Sequence, residues 1–316
     1  MNILITGGAG FIGSHLVKKF IDDGNEVYVV DNLLTGNKKN ISDLEQEKLH
    51  FFEEDIRNFD YKQLPKIDLL YHLASPASPT QYKKYAIETL MTNSFGTFRL
   101  MEFCKEGNVK TFVFASTSEV YGDPLEHPQK ESYFGNVNTL GPRACYDEGK
   151  RFAETLILAY KNKHDLDVRI ARIFNTYGPN MEVEDGRVIS NFIIQVLHNN
   201  PITIYGDGKQ TRSFCYVSDM INGLVALGKK DDISGQVINL GNPDERTVLE
   251  IANMIKDLLN SKVELVYRTT DSDDPKQRQP DITKAIEVLN WKPEVALEDG
   301  LKNTISYFKK KLQPFS

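Results

Sequence analysis

The sequence is poor in residues that build disulfide or metal frameworks. Its 316 residues include only three cysteines, Cys104, Cys145 and Cys215, which are widely spaced and odd in number. A disulfide-stapled secreted domain is therefore excluded, and no metal centre is predicted. Reduced thiols in a cytoplasmic protein are the expectation that follows.

Long apolar runs and excess positive charge are also missing. No apolar run approaches the roughly 20 residues needed to span a bilayer. Met1-Asn2 leads directly into an apolar strand pattern, without the basic region and cleavage site of a secretory signal. The net charge of −6 gives no electrostatic reason to expect nucleic acid or an anionic membrane as a partner.

A glycine-rich turn follows the first apolar run, residues 2–6. Gly7, Gly10 and Gly13 lie in this turn, an amphipathic helix pattern follows, and a second apolar run ends at Asp31. This order of strand, turn, helix, strand and acid is typical of a dinucleotide-binding unit. A carboxylate at Asp31 would accept hydrogen bonds from ribose hydroxyls and repel a 2′-phosphate. The pattern therefore predicts NAD as the cofactor rather than NADP.

Further strand patterns alternate with helical stretches along the first half of the chain. They lie at residues 49–52, 67–73 and 111–115. The alternation predicts an α/β fold with a doubly wound parallel sheet of Rossmann type. Ligands bind at the carboxyl ends of such strands. The residues expected there, beside the adenine or the centre of the cofactor, are Asp55, Ile56, Leu73, Ala74 and Ser75.

Tyr146 and Lys150 are the strongest candidates for catalysis. They are four residues apart in a helical pattern and so share one helix face. A phenol is a poor base at neutral pH, and a neighbouring ammonium lowers its pKa. Tyr146 could then accept a hydroxyl proton while hydride leaves the same carbon for nicotinamide. Thr117, at the end of its strand, could hydrogen-bond the same oxygen.

Several longer segments add to the glycine turn and the Tyr146–Lys150 pair. They are residues 72–79, 116–124, 141–151, 172–179, 185–188, 210–216 and 273–281. Together these segments resemble the extended short-chain dehydrogenase/reductases, and among them the UDP-glucuronate decarboxylases, also called UDP-xylose synthases. The resemblance covers nearly the whole chain.

The resemblance implies two parts and a set of cofactor contacts. An NAD-binding Rossmann domain would comprise residues 1–173 with a return segment near 210–245. A smaller α/β lobe, residues 174–209 and 246–316, would bind a nucleotide sugar. The further cofactor contacts that the family pattern implies are Phe11, Ile12, Asn32, Leu33, Thr35, Gly36, Thr92, Ala115, Thr176 and Arg187.

For the substrate, the resemblance implies oxidation at C4 of UDP-glucuronate and loss of the C6 carboxylate from the resulting β-keto acid. Glu119 would then serve proton transfer at C5, directly or through water. Ser118 could orient the reacting group, and Arg278 would hold the carboxylate. The residues implied to bind the UDP-sugar are Asn175, Val188, Tyr205, Gln210, Arg212 and Arg278.

The chain departs from the family pattern at several positions, which leaves a second hypothesis open. Met91 stands where the family has a lysine, Glu106 reverses a charge, and Phe134 replaces a tryptophan. The alternative is a 4-oxidase that reduces or epimerises around C5 and C6, or a 4,6-dehydratase, acting on a UDP-N-acetylhexosamine derivative. A non-catalytic NAD sensor is the third hypothesis.

The family resemblance also predicts a homodimer. The helical stretches near residues 80–107 and 142–164 are long and carry apolar stripes. In the family, such helices form a four-helix interface between two subunits.

Overall fold

The computed structural model describes residues 1–269 and 277–313. At its centre lies a seven-stranded sheet. The strands are β1 (Asn2–Thr6), β2 (Glu26–Val30), β3 (Leu49–Phe52), β4 (Ile67–His72), β5 (Val109–Thr117), β6 (Val168–Ile173) and β11 (Val237–Leu240). Their order across the sheet is β3-β2-β1-β4-β5-β6-β11, and every strand pairing is parallel.

Helices cover both faces of this sheet, and an apolar core lies under each face. On one face lie α1 (Phe11–Asp22) and α7 (Val217–Lys229), with α9 (Thr283–Leu289) packed beside α7. The other face carries α4 (Thr97–Phe103) and α5 (Ala144–His164). Next to α5 lie α2 (Pro79–Lys84) and α3 (Ala86–Met91).

A smaller lobe with its own apolar core lies at the carboxyl ends of the large sheet's strands. Its helices are α6 (Val188–Leu197), α8 (Val248–Leu258) and α10 (Leu297–Lys311). Thr247 and Glu250 form a reciprocal capping box at the start of α8, which satisfies backbone donors of its first turn. The short strands form three pairs: β8 (Ile202–Tyr205) with β13 (Leu265–Arg268), β9 (Thr211–Ser213) with β12 (Glu245–Thr247), and β7 (Thr176–Tyr177) with β10 (Cys215–Tyr216).

Short helical turns complete the described secondary structure. Two π-helical turns, Thr92–Gly96 and Cys104–Asn108, interrupt the run that begins at α3. The 3₁₀ turns are Lys38–Asn40, Gln46–Lys48, Tyr61–Gln63 and Ser118–Tyr121. Within residues 1–269 and 277–313, we find no helix with the length and apolar character that crossing a membrane requires.

The doubly wound parallel sheet predicted from the sequence is confirmed. The third strand has the predicted bounds, whereas β5 extends two residues beyond the predicted run at each end. The carboxyl-terminal extension, Ser116 and Thr117, pairs with β6 and carries the chain into the following 3₁₀ turn. This extension positions the polar residues described next.

Candidate active site

A cavity of about 490 Å³ lies over the carboxyl ends of the central strands, between the sheet and the smaller lobe. Nearly every residue that the sequence predicted for cofactor, chemistry or substrate lines it. The cofactor set that does so is Gly7, Gly10, Phe11, Ile12, Gly13, Asp31, Asn32, Thr35, Gly36, Asp55, Ile56, Leu73, Ala74, Ser75, Thr92, Ala115, Thr176 and Arg187. The catalytic and substrate set is Thr117, Ser118, Glu119, Tyr146, Lys150, Asn175, Val188, Tyr205, Gln210, Arg212 and Arg278.

The glycine turn packs so closely on its surroundings that no side chain fits at Gly7 or Gly13. A Cβ on Gly13 would lie 2.1 Å from the carbonyl oxygen of Gly7, and one on Gly7 would lie 2.7 Å from the backbone nitrogen of Ala74. Gly7 also has a φ of 74°, in the left-handed region that favours glycine. The start of α1 therefore packs directly on the turn, and its free N–H groups suit a pyrophosphate.

Asp31 holds the loop at the end of β2. Its carboxylate accepts hydrogen bonds from the backbone N–H groups of Ala9 and Leu33, both at 2.9 Å. Burial raises the pKa of Asp31, and these two hydrogen bonds act in the opposite direction. The carboxylate reaches the cavity wall, where it can also accept hydrogen bonds from ribose hydroxyls.

Leu33 is the one predicted cofactor residue that is not part of the cavity wall. It packs against the large apolar core, and Leu34 lines the cavity instead. Leu33 has a positive φ of 57°, so the backbone reverses direction at this residue. Because this turn follows β2 directly, strand periodicity does not predict which of the two leucines faces the cofactor.

Asp55 is held at the neighbouring edge by polar contacts. Arg57 donates to both carboxylate oxygens, at 2.8 and 2.6 Å, and Asn32 donates at 2.9 Å. Burial alone would raise the pKa of Asp55, but the hydrogen bonds and charge of Arg57 outweigh it and lower the pKa. Asp55 is therefore an ionised acceptor at the edge where an adenosine would lie.

Tyr146 and Lys150 lie on the face of α5 that meets β5, as their spacing predicts. Lys150 Nζ donates to the backbone oxygen of Ala115 at 2.8 Å and lies 5.9 Å from the centre of the Tyr146 ring. Burial lowers the pKa of Lys150 to about 7, while Glu154 acts in the opposite direction. Burial also raises the pKa of Tyr146, against a hydrogen bond with Thr117.

The pKa shifts of Tyr146 and Lys150 have a different cause from the one expected. The sequence suggested that the ammonium lowers the pKa of the phenol, whereas burial dominates both groups in the structure. The charge of Arg187, at the cavity wall, does act to lower the pKa of Tyr146. A positive charge about 6 Å away through the protein competes poorly with the loss of water around a phenolate.

Glu119 lies between two arginines. The turn Ser118–Tyr121 begins where β5 ends, and Thr117 caps it by accepting a hydrogen bond from the Glu119 N–H at 3.2 Å. Arg278 pairs with one carboxylate oxygen of Glu119 and Arg143 with the other. Burial would raise the pKa of Glu119, but the two guanidinium groups outweigh it and lower the pKa to about 2.

Sequence reasoning missed Arg143 and two of its neighbours. Arg143 lies just before α5, and no periodic pattern distinguishes it from a surface arginine. Tyr82, which is 1% exposed, stacks on Tyr146 with ring centres 5.0 Å apart and planes 6° apart. Asp147 is buried beside them, and burial together with the charge of Glu119 raises its pKa to about 8. The only sequence signal for all three is their nearness to predicted residues.

The predicted nucleotide-sugar contacts lie on the opposite wall of the cavity. Val188 begins α6, and Tyr205 ends β8. Gln210 Nε2 donates to the Tyr205 carbonyl at 2.7 Å, and Arg212 NH1 donates to the Thr211 carbonyl at 2.8 Å. Within the predicted segment 273–281, residues 273–276 lie outside the described residues, and Arg278 is the first of the predicted site residues after them.

Comparison with known proteins identifies relatives along the entire chain. The NAD dependent epimerase/dehydratase family matches residues 3–241. UDP-glucuronic acid decarboxylase 1 of Arabidopsis thaliana is 49% identical over 313 residues, which cover 99% of this chain and 71% of that protein.

Solved structures of similar proteins share the whole fold. A UDP-glucose 4-epimerase from Thermotoga maritima with UDP-glucose has a TM-score of 0.91 and 32% identity, over 99% of this chain and 100% of that one. A UDP-glucuronic acid 4-epimerase from Bacillus cereus in complex with UDP-glucuronic acid and NAD has a TM-score of 0.90 and 34% identity, over 98% of this chain and 100% of that one. The glycine turn, the Tyr146–Lys150 pair and these relatives agree: the chain belongs to the NAD-dependent epimerase/dehydratase family.

Proposed function

We propose that this protein is a UDP-glucuronate decarboxylase that uses NAD and produces UDP-xylose. The observation that carries the proposal is the cluster of Glu119, Arg143 and Arg278 in the wall of the cavity. The cluster places two guanidinium groups beside one carboxylate in this wall. Asp147 lies next to them, and burial together with the charge of Glu119 raises its pKa to about 8, so that it is mostly protonated at neutral pH. A guanidinium group at this position can pair with the carboxylate of a uronic acid, whereas a neutral hexose offers no such charge.

We assign the first step to Tyr146 and its neighbours. Bound NAD would supply a hydride acceptor for C4 of the sugar. Tyr146 takes the proton of the C4 hydroxyl in its phenolate form, which the charge of Arg187 and the hydrogen bond with Thr117 favour against the effect of burial. Thr117 can also donate a hydrogen bond to the C4 oxygen. Lys150, fixed on the Ala115 carbonyl, would help to hold the cofactor and would supply positive charge when protonated.

Carbon dioxide then leaves from the β-keto acid. The C5–C6 bond breaks, and its electron pair moves onto the C4 oxygen, where Tyr146 and Thr117 stabilise the developing charge. A proton must next reach C5. With a pKa of about 2, Glu119 is ionised at neutral pH and has no proton to donate. Of the two routes that the sequence left open, we therefore assign Glu119 the role of the acceptor that orients a water toward C5. This water gives its proton to C5, and the hydroxide left behind takes up a proton from the solvent.

The departures from the family pattern lie outside this cavity, which favours glucuronate over an N-acetylhexosamine derivative. Met91 and Glu106, expected to weaken substrate contacts, are not among the residues of the cavity wall. Met91 is 39% exposed on the outer face of α3, and Phe134 is 90% exposed. Substitutions at such positions leave the charge and shape of the sugar site unchanged.

The test is incubation of the purified protein with NAD and UDP-glucuronate, followed by product mass and carbon dioxide measurements. We expect a UDP-pentose that is lighter than the substrate by one carbon dioxide, and no such product from Glu119→Gln. A product of unchanged mass would indicate 4-epimerisation instead. Turnover of a UDP-N-acetylhexosamine derivative but not of UDP-glucuronate would support the second hypothesis, and no turnover of any UDP-sugar would support a sensor.

We also propose that two copies associate through one apolar helix face. Side chains spaced three or four residues apart along α3, the first π-helical turn and α4 are exposed on it, with one from the adjacent α5. They are Ile87, Leu90, Met91, Phe95, Phe98 and Phe152. A contiguous exposed apolar face of this kind marks an interaction site. A second copy is the occupant we favour, because one exposed apolar stripe of this kind can pair with the same stripe of a second copy across a two-fold axis.

Sedimentation tests the dimer directly. The wild type should sediment as a dimer at micromolar concentration, and Phe98→Glu as a monomer with an unchanged circular dichroism spectrum. Leu125→Glu is the matched control, because Leu125 is 82% exposed and lies outside this face. A monomeric wild type would refute the proposal.

With three cysteines free of disulfides, we further propose a cytoplasmic location. We also propose the division into an NAD-binding domain and a nucleotide-sugar lobe, with one change of bounds. The helix α9 and Trp291, predicted in the lobe, pack in the core of the large sheet and are assigned to the NAD-binding domain.

A further inference from the structure

Asn239 occupies a buried junction in the last strand of the sheet. Its side chain is 0% exposed, and every polar atom of its amide has a partner. The carbonyl oxygen accepts a hydrogen bond from the Tyr121 hydroxyl at 2.7 Å. The NH₂ group donates to the backbone oxygens of Gln129 and Asp281, at 3.0 and 3.1 Å. One amide thus connects three segments that are far apart in sequence.

Two of these segments carry the charged residues of the site. Tyr121 ends the short turn that contains Glu119. Asp281 lies three residues after Arg278, in a stretch paired with Gln129 through backbone hydrogen bonds of 2.8 and 2.9 Å. Asn239 is therefore placed between the backbone that carries the carboxylate and the backbone that carries its guanidinium partner.

Tyr121 extends the same network toward the catalytic helix. Its buried hydroxyl also accepts a hydrogen bond from Arg172 at 3.0 Å. Arg172 in turn donates twice to Glu154, at 3.0 and 2.8 Å. Glu154 lies on α5, one helical turn after Lys150. Arg172 contacts Glu154 directly, so its bonds to the catalytic helix do not pass through the tyrosine hydroxyl.

We propose that Tyr121 and Asn239 are positioning residues that fix Glu119 against Arg278 and so determine what happens to the oxidised sugar. This inference rests on the proposed decarboxylase function. Tyr146, Lys150 and Thr117 perform the oxidation and are held by β5 and α5. Glu119 and Arg278 serve the steps at C5 and C6. Glu119 is also held by its hydrogen bond to Thr117 and its contact with Arg143, and the Tyr121–Asn239 link adds the connection between its backbone and that of Arg278. Loss of this link therefore affects the position of Glu119 against Arg278, while β5 and α5 still hold the residues that perform the oxidation.

The expected consequence is a selective defect. If the link is broken, C4 oxidation continues while carbon dioxide loss and reprotonation at C5 slow down. The reduced cofactor and the 4-keto sugar then accumulate, and more of the keto sugar escapes into solution. A general loss of structure would instead slow oxidation and decarboxylation together.

The experiment compares Tyr121→Phe, Asn239→Ala and the double variant. With UDP-glucuronate and NAD, we measure the absorbance of the reduced cofactor during turnover and the ratio of released keto sugar to UDP-pentose. Tyr121→Phe should raise this ratio about tenfold, as expected when a buried hydrogen bond is lost. Because both residues act through one link, the double variant should add little to Asn239→Ala.

Tyr71→Phe is the matched control. Tyr71 is also buried, and its hydroxyl donates to the Leu224 carbonyl at 3.3 Å, away from this network. A Tyr121→Phe variant that melts within a few degrees of Tyr71→Phe, yet shows the wild-type ratio, overturns the inference alone. A wild type that releases no carbon dioxide overturns the proposed function, and this inference with it.

Discussion

Replacing Glu119 by glutamine should destabilise the protein about twice as much at neutral pH as near pH 3. The pKa of Glu119 falls from its usual 4.5 to about 2 in the folded protein. A difference of this size corresponds to a contribution of ~3 kcal/mol to the free energy of unfolding. Because the folded pKa is depressed, the contribution is fully present above pH 4.5 and is lost as the pH falls toward 2. Glutamine lacks the charge and makes no such contribution at any pH.

The assay is urea unfolding at pH 7 and again near pH 3, followed by tryptophan fluorescence. Trp291 is the only tryptophan, is buried, and donates to the Asp219 carbonyl at 3.0 Å, so its emission reports loss of the fold. The stability gap between wild type and Glu119→Gln should be ~3 kcal/mol at pH 7 and about half that near pH 3.

The matched control is Glu148→Gln, whose carboxylate lies 3.7 Å from Arg151 at a partly exposed site. We expect it to change stability by less than about 0.5 kcal/mol at either pH. A gap for Glu119→Gln that is absent at pH 7, or equally large at both pH values, would show that the two arginines do not depress the pKa of Glu119.

Three other substitutions test neighbouring features. Glu154→Gln removes a negative charge that raises the pKa of Lys150, so the pKa of Lys150 should fall below about 7 and the alkaline limb of the pH–rate profile should move to lower pH. If this limb does not move, the charge of Glu154 does not act on Lys150. Gly13→Ala places a methyl group against the Gly7 carbonyl and should weaken NAD binding about 10- to 100-fold in a calorimetric titration, whereas wild-type affinity would disprove the close packing. Met91→Lys should change kcat/KM for UDP-glucuronate by no more than about twofold, because the position lies outside the cavity, and a larger gain would return Met91 to the substrate site.

The fold and the cofactor half of the site were accessible from the sequence because they depend on local pattern. The glycine turn and the strands of alternating βα units have fixed periodicities, and Asp31 follows its strand directly. The spacing of Tyr146 and Lys150 correctly placed them on one helix face. The spacing did not predict how far the Lys150 ammonium lies from the Tyr146 phenol. It also did not predict that burial controls the pKa values of both groups.

The charged residues of the candidate site could be predicted from the sequence only in part. The family resemblance indicated Glu119 and Arg278, but nothing in the pattern placed a second guanidinium group beside them. Arg143 contacts Glu119 because α5 begins near the end of β5, which is a tertiary relation between residues 24 positions apart. The Tyr121–Asn239 contact joins residues 118 positions apart and leaves no periodic trace.

The position of β11 at the edge of the large sheet affects how the chain can be divided. This strand follows α6 and β8 of the smaller lobe in sequence, yet it pairs with β6, whose other neighbour is β5. A fragment that ends at residue 173 would leave the outer edge of β6 unpaired and exposed to strand addition from other chains. During synthesis, the sheet is completed only after the first part of the smaller lobe has emerged. The two lobes are therefore expected to fold as one cooperative unit. A fragment that consists of residues 1–173 alone should aggregate.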